Sequence, residues 1–186
     1  MRAPRASAGR ARSRLARALA AAALLGAGCG TIRETLAPAP QARPAERPGW
    51  LVYPVGALAL EAPGDWTASG GPDRLVLEPP NGAARLEAWR VPTPFESVRA
   101  CRDAAEESLR RGAGGLDRVR RHPTTAAGVA AVTQEADQGG WHGWAYALCD
   151  GRSQYRLFFT GRSPIPPALL ETWQAVLQAL RLARGE

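Results

Sequence analysis

Side chains able to do chemistry are sparse in this 186-residue chain: three cysteines, two histidines and, beyond residue 28, five serines. Nucleophilic catalysis needs a Ser or Cys beside an oriented base. Ser69, Ser97, Ser108, Ser153 and Ser163 instead read as turn, cap or helix-surface residues, and no Gly-x-Ser-x-Gly occurs. His122 and His142 stand in neither His-x-x-x-His nor Cys-x-x-Cys spacing, whereas zinc takes three or four such ligands. Asp65, Asp73 and Asp117 flank turns or strand starts, as solvated Asp does. The expectation is a chain with no catalytic motif, no metal site and no cofactor, hence not an enzyme. What remains is Trp141-His142-Gly143-Trp144. Aromatics exposed at a hairpin mouth stack on sugar rings or on a partner's side chains, which makes Trp141, His142 and Trp144 a candidate partner or glycan contact. The alternative is that a helix covers this face and the aromatics belong to the core.

Cys29 has a different setting. Arg2, Arg5, Arg10, Arg12, Arg14 and Arg17 precede Ala18 to Gly28, a stretch of Ala, Leu and Gly. A basic segment followed by an apolar one is the order of a secretory signal, and the apolar part is too short to span a bilayer, which takes roughly 20 residues. Leu24-Leu25-Gly26-Ala27-Gly28-Cys29-Gly30 resembles a bacterial lipobox, in which small residues precede a Cys that is acylated and becomes the new N-terminus. Gly26 stands where Leu is usual, with Leu25 one position earlier. The resemblance implies a signal peptide over 1–28, palmitate-type acyl chains on Cys29, and anchorage in a bacterial cell envelope facing the periplasm; Gly30 in place of Asp favours the outer membrane. An ordinary secretory signal and an organelle transit peptide are the alternatives.

With Cys29 acylated, Cys101 and Cys149 are left in an oxidising compartment, where two thiols pair. A disulfide is the first expectation, with two separate buried thiols or a reactive or metal-binding thiol as alternatives.

The formal charge of +7 is local. Six of the 24 basic residues lie in 1–28 without an acid, which leaves 18 against 17 acids. Arg110, Arg111, Arg118, Arg120, Arg121 and His122 form the densest later basic run, suited to phosphate or anionic headgroups. Asp103, Glu106, Glu107 and Asp117 are interspersed nearby and no aromatic RNA-binding motif accompanies them, so the run reads as a solvated helix end and edge strand, with no nucleic-acid partner.

The elements that must position these residues follow from punctuation and period. Residues 29–48, with Pro38, Pro40, Pro44 and Pro48, form a tether after the lipidated Cys; 49–186 form a single domain. Val55 to Leu60 reads as a first strand. Leu75–Glu78 and Ala84–Val91 form a hairpin across Asn81-Gly82. Thr93 caps a helix whose apolar stripe is Val98, Cys101, Ala105 and Leu109. Val129–Asp137, Gly143–Cys149 and Ser153–Thr160 form a meander, the last turn placed at Asp150-Gly151 with residue 149 opposite 152. Trp144, Tyr146 and Leu148 then share one face, and Ala145, Ala147 and Cys149 the other. Leu169, Trp173, Val176, Leu177 and Leu180 mark a closing helix.

The order strands, helix, strands, helix implies an α+β domain with a mainly antiparallel, hairpin-built sheet and two principal helices packed on it. An apolar strand leading into Pro63-Gly64-Asp65-Trp66, a hairpin, a helix near 93–111, a late meander and a closing Trp/Leu helix resemble PsbP-like (DcrB-like) domains, known from photosystem lumenal subunits and bacterial lipoproteins. That resemblance spans about 50–182 and implies a non-catalytic module. The functional expectation is a lipid-anchored envelope protein that binds or assembles with an envelope protein or glycan. A small-ligand carrier with a pocket between sheet and helices, and an envelope hydrolase, are the other readings.

Overall fold

The computed structural model describes residues 41–151 and 153–183; the expected signal peptide, Cys29 and the tether as far as residue 40 lie outside the described residues. In chain order the elements are β1 (Arg43–Pro44), β2 (Trp50–Val55), β3 (Leu58–Pro63), β4 (Thr67–Gly71), β5 (Arg74–Glu78), β6 (Ala84–Arg90) and α1 (Val98–Gly112). They continue with β7 (Asp117–Ala126), β8 (Val129–Gln138), β9 (Trp141–Asp150), β10 (Ser153–Arg162), α2 (Pro167–Ala179) and β11 (Arg181–Leu182). The α+β expectation holds. One sheet has the order β4-β5-β6-β10-β9-β8-β7, a second the order β1-β2-β3-β11, and every pairing is antiparallel.

One face of the large sheet is covered by the small sheet and α2 and the other only in part by α1, so β6 alternates apolar with charged residues while β9 alternates large with small ones. One face carries Leu75, Leu77, Leu86, Leu157 and Phe159, joined by Tyr53, Leu58 and Leu60 of the small sheet and by Trp173 and Val176 of α2 in the main core. Trp173 stacks on Phe159 with ring centroids 4.8 Å apart and meets Tyr146 edge-on at 5.8 Å. The other face carries Val132, Ala145 and Ala147, on which Ala105 and Leu109 of α1 pack. Small residues on this side let the helix approach closely.

Four local expectations are revised. The first strand is a hairpin, because Gly56 adopts φ +58 and turns the chain between Val55 and Leu58. The cap of α1 is Ser97, whose Oγ accepts from the Ala100 amide at 3.1 Å; Thr93 lies in the preceding bend, and Val98 is exposed, so the buried stripe begins at Cys101. Asp150 pairs with Ser153, shifting the last hairpin's register while leaving its two faces as expected. Finally, Arg43–Pro44 pairs with Leu51 and Val52, so sheet structure reaches back into the stretch read as tether.

Cys101 and Cys149 are bonded to each other, with Cα atoms 5.9 Å apart. The bridge fastens the first turn of α1 to the end of β9. Among the described residues no helix is long and apolar enough to cross a membrane.

Candidate functional site

Alternation along β9 sends Trp141, Gly143, Ala145, Ala147 and Cys149 toward α1, and His142, Trp144, Tyr146 and Leu148 toward α2. Pinned at Cys101 and packed through Ala105 and Leu109, α1 covers the Cys149 end of its face. It ends at Gly112, and from there the chain passes through Leu116 into the edge strand β7. Between this helix end and the strands lies a groove of about 370 Å³. Leu109, Gly112 and Leu116 form one side, Gly143, Ala145 and Phe158 the floor, and Trp141 and Arg156 also line it. The floor at Gly143 is set by crowding: a Cβ there would meet the Phe159 carbonyl oxygen and Thr160 Cγ2 at 2.9 Å. Phe158 is held flat against Trp89 of β6, with centroids 4.9 Å apart and planes 2° from parallel.

Trp141 is 38% exposed, and with Val98 it is one of two exposed large hydrophobic residues among those described. The Arg162 guanidinium lies 5.3 Å from its ring centroid, a cation–π contact that orients the indole. Two further depressions, of about 620 and 470 Å³, also meet at Trp141, one reaching Arg85 and the other Asp117 and Ser163.

The polar side chains of the groove are organised from behind. Gln154, fully buried, donates through Nε2 to the Cys101 carbonyl oxygen at 3.2 Å. Its Oε1 accepts from Arg156 Nε at 2.9 Å. Burial pushes the Arg156 guanidinium below its ordinary value, and no described carboxylate lies within ion-pair distance of it. Gln134, also buried, accepts through Oε1 from Arg121 Nε at 2.6 Å.

On the opposite face His142 sits between two carboxylates: Nδ1 is 2.6 Å from Asp137 Oδ1 and Nε2 is 3.2 Å from Glu135 Oε1. The hydrogen bond from His142 holds the Asp137 carboxyl below its ordinary value against the opposing effect of burial, and Arg118 and Arg120 add to the depression. Burial pushes the Tyr146 hydroxyl up, further along the same face. Glu135 and Asp137 address opposite edges of the ring, so the three side chains do not converge on one point. No group of three or more potential metal ligands does so among the described residues.

The residues singled out in the sequence therefore separate. Trp141 is at the groove. The rings of His142 and Trp144 lie on the other face, half-buried and edge-on at 4.5 Å with Trp144 against Phe159, although both residues also border the groove. Cys101 and Cys149 form the bridge, and Cys29 lies outside the described residues. In the basic run, Arg110 and Arg111 pair with Glu107 at 2.7 and 3.5 Å, and Arg118 lies 3.8 Å from Asp137. Arg156, Phe158 and Leu116 were not expected at a site. The signal available was alternation: Gln154, Arg156, Phe158 and Thr160 must share the small-residue face with Ala145, and a cation inside such a strand is out of place in a core.

No protein-family model and no curated protein matches the chain by sequence. The fold is that of a PsbP-like α+β domain. The solution structure of cyanobacterial PsbP (CyanoP) from Synechocystis sp. PCC 6803 superposes with a TM-score of 0.55 at 9% identity, over 77% of this chain and 98% of that one. A crystal structure from Bacteroides thetaiotaomicron VPI-5482 gives a TM-score of 0.50 at 9% identity over 73% of this chain. The present chain spans about half of that protein's length, 48%. At such identities the likeness concerns the fold alone.

Proposed function

We propose that this protein is a non-enzymatic binding module of a bacterial cell envelope, tethered through acyl chains on Cys29, with the groove beside Trp141 as its contact surface. The observation that carries the reading is the groove itself: an apolar depression with an exposed, cation-oriented tryptophan at its rim. Residues 1–30 support the envelope location through their basic, apolar and small-residue order before Cys29. The Cys101–Cys149 bridge is consistent with an oxidising compartment. The hydrolase reading draws nothing from His142, whose two ring nitrogens both face carboxylates.

A second reading, a small-ligand carrier, is favoured by the groove's position between α1 and the sheet and by its volume, which lies within the roughly 300–1,000 Å³ of small-molecule sites. Crosslinking in intact envelopes, with intact mass recorded on the same samples, tests the tethered-module account using wild type, Trp141→Ala and Cys29→Ser. Wild type is expected to carry an acyl mass, sediment with membranes and give a defined adduct. Trp141→Ala keeps the anchor and loses the adduct, and Cys29→Ser loses the acyl mass and the membrane fraction. An adduct indifferent to Trp141 would remove the groove from the account, and a native chain without acyl mass would remove the tether.

A further inference from the structure

The groove is chemically polarised. In register, Trp141 stands opposite Arg162 and Ala147 opposite Arg156, so Trp141 and Arg156 are six residues apart along the β9–β10 pair, on the order of 20 Å at the rise of a strand. Between them the floor presents Gly143, Ala145 and Phe158, with Leu109 and Leu116 alongside. The lining is mostly apolar, with Ser108, Gln134, Gln138 and Thr160 as neutral polar members and Arg156 as its one arginine. Other arginines of the same sheet are neutralised locally: Arg85 by Glu78 and Glu87 at 2.7 Å each, and Arg90 by Asp73 at 2.8 Å. Arg156 has a neutral amide, Gln154 Oε1, as its hydrogen-bond partner. A guanidinium carries five N–H donors, and one bond to Gln154 leaves most of them for an anion.

We propose that the groove binds a long-chain carboxylate, with the acyl chain along Phe158, Leu116 and Trp141 and the carboxylate paired with the Arg156 guanidinium. The inference rests on the small-ligand reading of the groove. A fork of parallel N–H groups fits a carboxylate through two hydrogen bonds, and Arg156 is partly buried, which strengthens such a pair relative to one at the open surface. Gln154 is the positioning residue. It ties Arg156 to the Cys101 carbonyl at the disulfide-pinned start of α1, so the cation does not swing out to solvent. The length of the track asks for a chain, since a short acid would meet the charge and leave the Trp141 end empty.

Palmitate, its methyl ester and acetate separate the contributions when each is titrated against the purified full-length chain, below the concentration at which palmitate forms micelles. Wild type is expected to bind palmitate at least about tenfold more tightly than the ester, the discrimination given by hydrogen bonds to a charged group, and to show no saturable binding of acetate. Arg156→Gln is expected to bind palmitate and ester alike while unfolding at the wild-type denaturant midpoint. Arg99→Gln, exposed on α1 and outside the groove lining, keeps the wild-type ratio. Equal binding of palmitate and ester by wild type overturns the role of Arg156 and leaves the groove as a binding surface. Absence of palmitate binding in wild type overturns the proposal entirely, and the crosslink dependence on Trp141 then decides separately whether the groove binds anything else.

Discussion

His142 and its two carboxylates show how differently neighbouring residues behave on a strand. Trp141 and His142 are adjacent in sequence and both border the groove, yet the Trp141 ring is exposed at its rim while the His142 ring is clamped between Asp137 and Glu135 on the other face. Trp141, His142 and Trp144 share the border of the groove but their rings alternate in face, as the period of two requires; the faces of Trp144 and Ala145 were legible, and Trp141 followed from the same count. Asp137 supplies a prediction with a definite sign. Its carboxyl is held below its ordinary value of 3.8 chiefly by the His142 hydrogen bond. A depressed carboxylate stabilises the fold above its ordinary value, and the contribution is lost as pH falls through the depressed one. Asp137→Asn is therefore expected to unfold at lower denaturant concentration near neutrality, with the difference from wild type shrinking below about pH 4. Denaturant midpoints across the acid range measure this, and parallel profiles for the two proteins would contradict it.

Elements with strong periodic or turn signals were legible, and those without were not. The stripe Cys101, Ala105, Leu109 gave α1, and the Trp/Leu spacing gave α2, because burial of one helical face leaves a regular mark. The hairpin across Asn81-Gly82 formed as read, with the Ala83 amide donating to Asn81 Oδ1 at 3.0 Å. By contrast β4, whose sequence is Thr-Ala-Ser-Gly-Gly, has no strand propensity of its own and exists by pairing with β5. Edge strand β7 is exposed along nearly its whole length, so its arginines carry no alternation to detect. At this scale the disulfide is the main device: it closes a separation of 48 residues and fixes the start of α1 against β9. Replacing both Cys101 and Cys149 by Ala is expected to lower stability by about 4 kcal/mol in the chain-entropy account, measured by chemical denaturation of the full chain. A midpoint unchanged between the double variant and oxidised wild type would argue against it.

In the whole molecule, the large sheet serves two masters. One face builds the core with the small sheet and α2, and the other is only partly roofed, because α1 stops at Gly112 while β9 runs on to Trp141. Helix length against strand length thus creates the groove, a tertiary consequence that no local pattern announces. The small residues Gly143 and Ala145 were legible as a packing surface for a helix; that the helix covers only part of them was not. Fold class and the pairing of Cys101 with Cys149 followed from the sequence because each rests on a coarse feature, the order of elements in one case and the supply of thiols in the other. The tethered-module account makes the Trp141 rim the place where another molecule is met. Its most direct test places a photoreactive residue at position 141 of the full-length chain, with a control at exposed Arg99, and records adducts in intact envelopes. The account predicts an adduct of defined mass from position 141 that is absent from position 99. No adduct at 141, or the same heterogeneous adducts from both positions, would contradict it.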